Sequence, residues 1–167
     1  MCIRDREKVE KELEKLGYPL DYKKIDTFRF YPVGLRVLSL LAIKQAFNWK
    51  DSQIKGMCRA ATGGSIILKS YTKFFGSQIS AIKVGPKLYH AYFTVGKMEI
   101  SEYDPEKKVT VLELTKELTF HSILCLCTEG YFEGLIKMVT GAKKIKCKEI
   151  KCVLKGDDCH QFEITWQ

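Results

Sequence analysis

The 167-residue chain has only three histidines, at 90, 121 and 160, and they form no nucleophile–base–acid pattern. It contains no G-x-x-x-x-G-K-[ST], no G-x-S-x-G and no H-E-x-x-H. The sequence therefore argues against phosphate-loop, serine-hydrolase and zinc-protease chemistry. Without G-x-G-x-x-G it also lacks the glycine turn that holds a nicotinamide cofactor. No apolar run approaches the roughly 18–20 residues that a membrane span requires. The longest is Val37-Leu38-Ser39-Leu40-Leu41-Ala42-Ile43, which reads as a buried helix. The first twenty residues are charged throughout, unlike an export leader, so a cytoplasmic protein is expected. Linkers, repeats and low-complexity stretches are missing too, which leaves one domain.

The remaining composition is that of an ordinary globular domain, with 46% hydrophobic and 29% charged residues. The formal charge of +8 raises the question of nucleic acid. Its densest stretch, residues 143–151, has lysines mostly alternating with apolar residues, as on the wet side of a strand. That stretch contains no arginine and no interleaved aromatic residue, which argues against nucleic acid as a partner. Seven cysteines, at 2, 58, 125, 127, 147, 152 and 159, are an odd number. In a cytosolic setting they read as buried thiols or metal ligands before disulfides. Residues 1–6 resemble translated sequencing-adapter read-through and are given no functional weight.

Periodicity predicts helices first. Residues 6–16 carry Glu7–Lys11 and Lys8–Glu12 at helix-pair spacing, and Gly17 and Pro19 end that helix. Residues 33–47 form a nearly all-round apolar helix. A third helix starts at a cap on Asp51 or Ser52 and shows Ile54, Cys58, Ala61, Leu68 and Phe75 on its stripe. Gly63-Gly64 within it marks either close packing or a break. Gly85-Pro86 opens a short helix. The pattern then changes to strands over 97–103 and 109–115 around the turn 104–108, a helix over 122–140, and a second hairpin from strands 145–154 and 160–166. Helices followed by consecutive antiparallel strands predict an α+β fold. N-terminal helices would pack on a twisted antiparallel sheet of two hairpins with a helix between them.

The last forty residues carry the most information. On the 122–140 helix, Cys127, Gly130, Tyr131, Gly134 and Met138 share a face, and two glycines four apart leave a groove for another backbone. Glu149 lies three residues before Cys152, so a flat strand would point them to opposite faces. A bulge near residues 149–151 would bring them together, and the switch of apolar parity after Cys147 supports one. From spacing alone, Cys152-x6-Cys159 is not a standard zinc knuckle, and buried thiols are preferred.

The run Cys127, Gly130-Tyr131, Gly134, Glu149, Cys152, Gly156-Asp157, Cys159-His160 and Phe162 resembles the 4-vinyl reductase (hydrocarbon-binding) domain family. Specific over residues 120–166, the resemblance extends more loosely upstream, so that residues 1–29 form an N-terminal segment and 30–167 the domain. It implies the ligand-binding fold of NO-signalling and Golgi-transport proteins, shared with vesicle-tethering (TRAPP) subunits. It further implies a homodimer, an apolar pocket and a structural zinc held by cysteines and a carboxylate. Matched by position, the ligands would be Cys127, Glu149, Cys152 and Cys159, a set suited to Zn2+. His160 stands beside Cys159 and could replace it, and helix phase decides between Cys125 and Cys127. A Cys152–Cys159 disulfide is the third alternative.

Side-chain roles elsewhere are modest. His160 shares the parity of Phe162, Ile164 and Trp166 and reads as a core or pocket-edge histidine. His121 precedes a helix and reads as a cap. Among the aromatics of the helical half, Trp49 and Tyr92 are the candidates for the pocket wall. The expected function is a sensor domain for a small apolar or aromatic ligand. An assembly adaptor of the vesicle-tethering type, or a protein of tetrapyrrole metabolism, is the alternative. No catalytic residue is proposed.

Overall fold

The structure, a computed structural model, describes residues 3–26, 29–65, 82, 85–116 and 119–167. It divides into two compact units, Met1–Ile54 and Lys55–Gln167.

In the first unit, helix α1 (Ile3–Lys15) packs along helix α2 (Val33–Ala46). Val9 and Leu13 of α1 and Ala42 of α2 are fully buried in one cluster. Each of the two large side chains contributes about 1.5–3 kcal/mol by leaving water. On the wet side of α1, Arg6–Glu10 and Glu12–Lys15 pair one turn apart. Gly17 turns the chain out of the helix at φ +79°, a conformation that favours glycine. A 3-10 turn (Tyr22–Lys24) returns to α2, where the Tyr22 hydroxyl meets Ser39 Oγ at 2.7 Å.

Helix α3 (Asp51–Gly64) stops at the glycine pair. Among the described residues nothing lies within 4 Å of a Cβ placed at either Gly63 or Gly64, and the pair marks the end of the helix. The later part of its expected stripe, Leu68 and Phe75, lies outside the described residues.

In the second unit, helix α4 (Gly85–Tyr92) precedes strands β1 (Lys97–Asp104) and β2 (Val109–Thr115). Helix α5 (Ser122–Thr140) separates them from β3 (Ile145–Lys151) and β4 (His160–Trp166). All pairings are antiparallel, in the order β1-β2-β4-β3. Two hairpins are thus joined through their second strands, leaving β1 and β3 at the edges. Phe132 and Ile136 of α5 bury with Leu112, Leu114, Phe162, Ile164 and Trp166. Phe132 and Phe162 meet edge to face at 5.4 Å.

His121 caps α5 as its position predicts: its Nδ1 accepts the Ile123 N–H at 3.1 Å. His121→Ala is expected to remove about 1 kcal/mol. Thermal unfolding should read this as a fall of about 2–4 °C in the midpoint. At the other end of α5, Gly141 supplies the left-handed cap at φ +69°.

Candidate functional site

Helix α5 has two working faces. Toward α3 it presents Cys127, Gly130 and Gly134. A Cβ at Gly130 would collide with the Lys55 carbonyl oxygen, and one at Gly134 with Thr62 Oγ1 and the Arg59 carbonyl. The glycine groove therefore holds the backbone of α3, as the spacing predicts. The Cys127 and Cys58 sulfurs lie 2.7 Å apart at this contact.

The other side of α5 faces β3. Here Lys55 of α3 reaches into a buried charge cluster. Its Nζ donates to Glu129 Oε2 at 2.8 Å and to the Cys147 carbonyl at 2.8 Å, and lies 2.9 Å from Glu133 Oε1. Arg59 also approaches Glu133, at 3.4 Å. The two carboxylates in turn accept backbone N–H groups of β3: Glu133 from Cys147 and Glu129 from Glu149. Burial opposes the charge on Lys55, but hydrogen bonds and charge from Glu129 and Glu133 outweigh it and hold the ammonium above its usual value.

Next along β3 the register slips between Glu149 and Lys151, leaving Ile150 as the extra residue. Glu149 pairs with Phe162 before the slip, and Lys151 with Gln161 after it. This is the bulge that the parity switch predicts, and it lets Glu149 and Cys152 turn to the same side. The apolar pattern that suggested it is followed only in part, because Ile150 and Leu154 are exposed.

Cys125, Glu149, Cys152 and His160 gather at this point, with one donor atom from each lying within 4.8 Å of the others. The Cys125 and Cys152 sulfurs are 3.9 Å apart. His160 Nδ1 lies 2.7 Å from Glu149 Oε1. The cysteines and histidine are buried, and Nε2 of His160 has no hydrogen-bond partner among the described residues. Burial pushes the Cys125 thiol well up, helped by the Glu149 carboxylate and by Cys152.

The donor chemistry fits zinc. Two sulfurs, a carboxylate and an imidazole are all ligands of closed four-coordinate sites. At a Zn–S distance of about 2.3 Å, tetrahedral geometry sets the sulfurs roughly 3.8 Å apart. The observed spacing needs no change. The His160–Glu149 contact would have to open, since a bound metal takes the place of their hydrogen bond.

Of the four residues expected to bind metal, Glu149 and Cys152 stand in this group and Cys127 and Cys159 do not. Cys127 faces α3 and Cys58. Cys159 is buried beside Asp158, on the opposite strand parity from His160. Cys125 and His160 fill the two places. Both were open to a sequence reading. Gly130 and Gly134 give Cys127 to the helix–helix face, while Phe132 and Ile136, seven and eleven residues beyond Cys125, mark the sheet face. Inward parity on β4 selects His160.

Of the pocket candidates, Trp49 belongs to the first unit and Tyr92 to the second. Trp49 is half-buried and its ring lies 5.5 Å from Phe47. The Tyr92 hydroxyl lies 3.1 Å from Ser65 Oγ. A groove of about 730 Å3 in the first unit is lined by Glu7, Glu10, Glu14 and Asp21 against Lys11 and Lys24, which leaves it only net acidic.

No family model and no curated protein matches the chain. Solved structures do match. An H-NOX protein from S. oneidensis in the Fe(II)NO ligation state superposes with a TM-score of 0.68 at 16% identity, over 96% of this chain and 89% of that one. A single-residue mutant of T. tengcongensis H-NOX gives 0.66 at 13% identity, over 97% and 88%. A trafficking protein particle complex subunit 3 from Naegleria fowleri, covalently bound to palmitic acid, gives 0.57 at 11% identity, over 80% and 93%. The chain therefore has the fold of H-NOX domains and of a TRAPP subunit, as the sequence resemblance implies.

Proposed function

We propose that this chain is a small-molecule-binding sensor domain whose C-terminal hairpin is pinned to α5 by a structural zinc ion. The observation that carries the metal reading is the buried group of Cys125, Glu149, Cys152 and His160. Zinc would supply a closed, redox-inert cross-link. Cys125 would anchor it to α5, Cys152 and Glu149 to the bulged end of β3, and His160 to the start of β4. Three elements would then share one fixed point next to the strand bulge.

Support for a guest molecule comes from the fold. One neighbour is described in an Fe(II)NO ligation state and another with covalently bound palmitic acid. The apolar or aromatic class of ligand expected from sequence is kept as the proposal, with Trp49 and Tyr92 as candidate wall residues. Homodimerisation belongs to the same proposal. Six buried cysteine thiols fit a reducing, cytoplasmic setting. Among the described residues, no helix is long and apolar enough to cross a membrane.

Native mass spectrometry under reducing conditions, with zinc and iron quantified on the same sample, tests the metal. One zinc per chain is expected. It should be lost in Cys125→Ser and Cys152→Ser and kept in Cys127→Ser and Cys159→Ser. A protein without metal, or one that loses zinc on the second pair of substitutions, refutes the assignment. The same spectra give the dimer mass. Phenols and fatty acids should raise the unfolding temperature, since a ligand at a hundred times its Kd adds about 2.7 kcal/mol. A panel that leaves the midpoint unmoved removes the sensor reading.

A further inference from the structure

Cys58 and Cys127 form a second pair of sulfurs, on the face of α5 opposite to the four-donor group. Their 2.7 Å separation is closer than unbonded sulfur atoms rest and longer than a disulfide bond of about 2.05 Å. The two helices are in close contact beside the pair. Gly130, one turn beyond Cys127, packs on the Lys55 carbonyl and the Arg59 amide, which flank Cys58 on α3. The two helices thus touch backbone to backbone one turn from Cys127 and on both sides of Cys58, and the sulfurs already meet. Neither cysteine belongs to the four-donor group.

We infer that Cys58 and Cys127 are a redox-modification site, closing a reversible disulfide between α3 and α5 in response to hydrogen peroxide. One thiolate sulfur attacks a peroxide oxygen. The O–O bond breaks, hydroxide leaves as water after taking a proton, and a sulfenic acid remains. The second thiol attacks that sulfur, the S–O bond breaks, and a second water departs. Two thiols and one peroxide thus give one disulfide and two waters, with two electrons passing from sulfur to oxygen. The oxidant has to be small, because the two residues are 5% and 4% exposed. A buried pair so placed has its resolving thiol already in contact, which favours the disulfide over further oxidation.

The cross-link would fasten the two helices through the middle of their contact, independently of any metal on the other face. It would turn a packing contact, able to loosen, into a covalent one. Reduction by a small thiol restores the starting state.

The test uses the full chain, treated with hydrogen peroxide, alkylated, and digested with trypsin without reduction. The expected product is peptide 56–59 joined to peptide 117–137, two hydrogens lighter than their sum and separated by dithiothreitol. Because the second peptide holds both Cys125 and Cys127, Cys127→Ser should leave peptide 56–59 alkylated and unjoined, while Cys125→Ser should not. The unfolding midpoint of the oxidised protein should rise by roughly 5–15 °C and return on reduction. Finding peptide 56–59 unjoined after oxidation, with Cys125 joined to Cys152 or the thiols carried to sulfinic acid, overturns the inference. Should the serine variants not fold, fragmentation of the joined wild-type peptide decides, because it places the link on Cys127 or on Cys125.

Discussion

Lys55→Met is expected to destabilise the protein by about 3–5 kcal/mol, the range for stripping one partner from a buried ion cluster. The lysine side chain is 22% exposed, Glu129 17% and Glu133 7%, so solvent replaces the missing ammonium only in part, least of all at Glu133. Both carboxylates would be left facing each other, and the Cys147 carbonyl would lose its donor. Arg59, at 3.4 Å and half exposed, recovers only part of the loss. Denaturant unfolding should show a lower midpoint with an unchanged slope. Adding Glu129→Gln and Glu133→Gln to the variant should return a share of the stability, because the uncompensated charges go with them. A loss below about 1 kcal/mol in the single variant would mean that the cluster is hydrated and behaves as a surface pair.

The same cluster sets a pH dependence. Burial tends to lower the Lys55 value, yet the two carboxylates prevail and the folded chain holds this proton more tightly than the unfolded one. The contribution is complete below the ordinary lysine value of 10.5 and fades as pH climbs through the raised folded value. The stability gap between wild type and Lys55→Met should therefore narrow above pH 10.5 and stay level from there down to neutral pH.

Gly134→Ala carries the second large effect. The added methyl would meet Thr62 Oγ1, which is itself held by donating to the Arg59 carbonyl at 2.7 Å, and would meet that carbonyl as well. Thr62 is 2% exposed and neither atom is the far end of a flexible chain. The helices must separate, at about 3 kcal/mol, the upper part of the range for overpacked cores. Thermal unfolding should fall by about 6–12 °C. Gly63→Ala, with no described residue within 4 Å of the added methyl, should be neutral or gain up to about 1 kcal/mol from helix propensity. If both substitutions behave alike, the α3–α5 contact is not the one described.

The contrast explains what could be read in the chain beforehand. Strand and helix limits in the second unit follow the periodicity to within a residue at β2, α5 and β4, because each has one dry face and a sharp turn at either end. The bulge was readable for the same reason: a single extra residue leaves an apolar pattern out of step. Choosing between neighbouring cysteines was harder. Cys125 and Cys127 are two residues apart on a helix whose sides are both buried, so hydrophobicity does not say which side meets which partner. Cys159 and His160 are adjacent, and a family pattern that tolerates either one hides the strand parity that separates them. The Lys55 cluster had no local signal at all, since its members come from α3, α5 and β3.

One outcome of that cluster concerns the rim of the sheet. A strand at the end of a sheet normally offers its outward N–H and C=O groups to any extended chain that drifts alongside, which is how sheets fuse and fibrils begin. On β3 the outward Cys147 N–H, Cys147 C=O and Glu149 N–H are already occupied by Glu133, Lys55 and Glu129. Side chains from two helices act as a surrogate neighbouring strand. Growth of the sheet from this border is thereby closed off, and a second copy joining strand to strand would have to approach from β1.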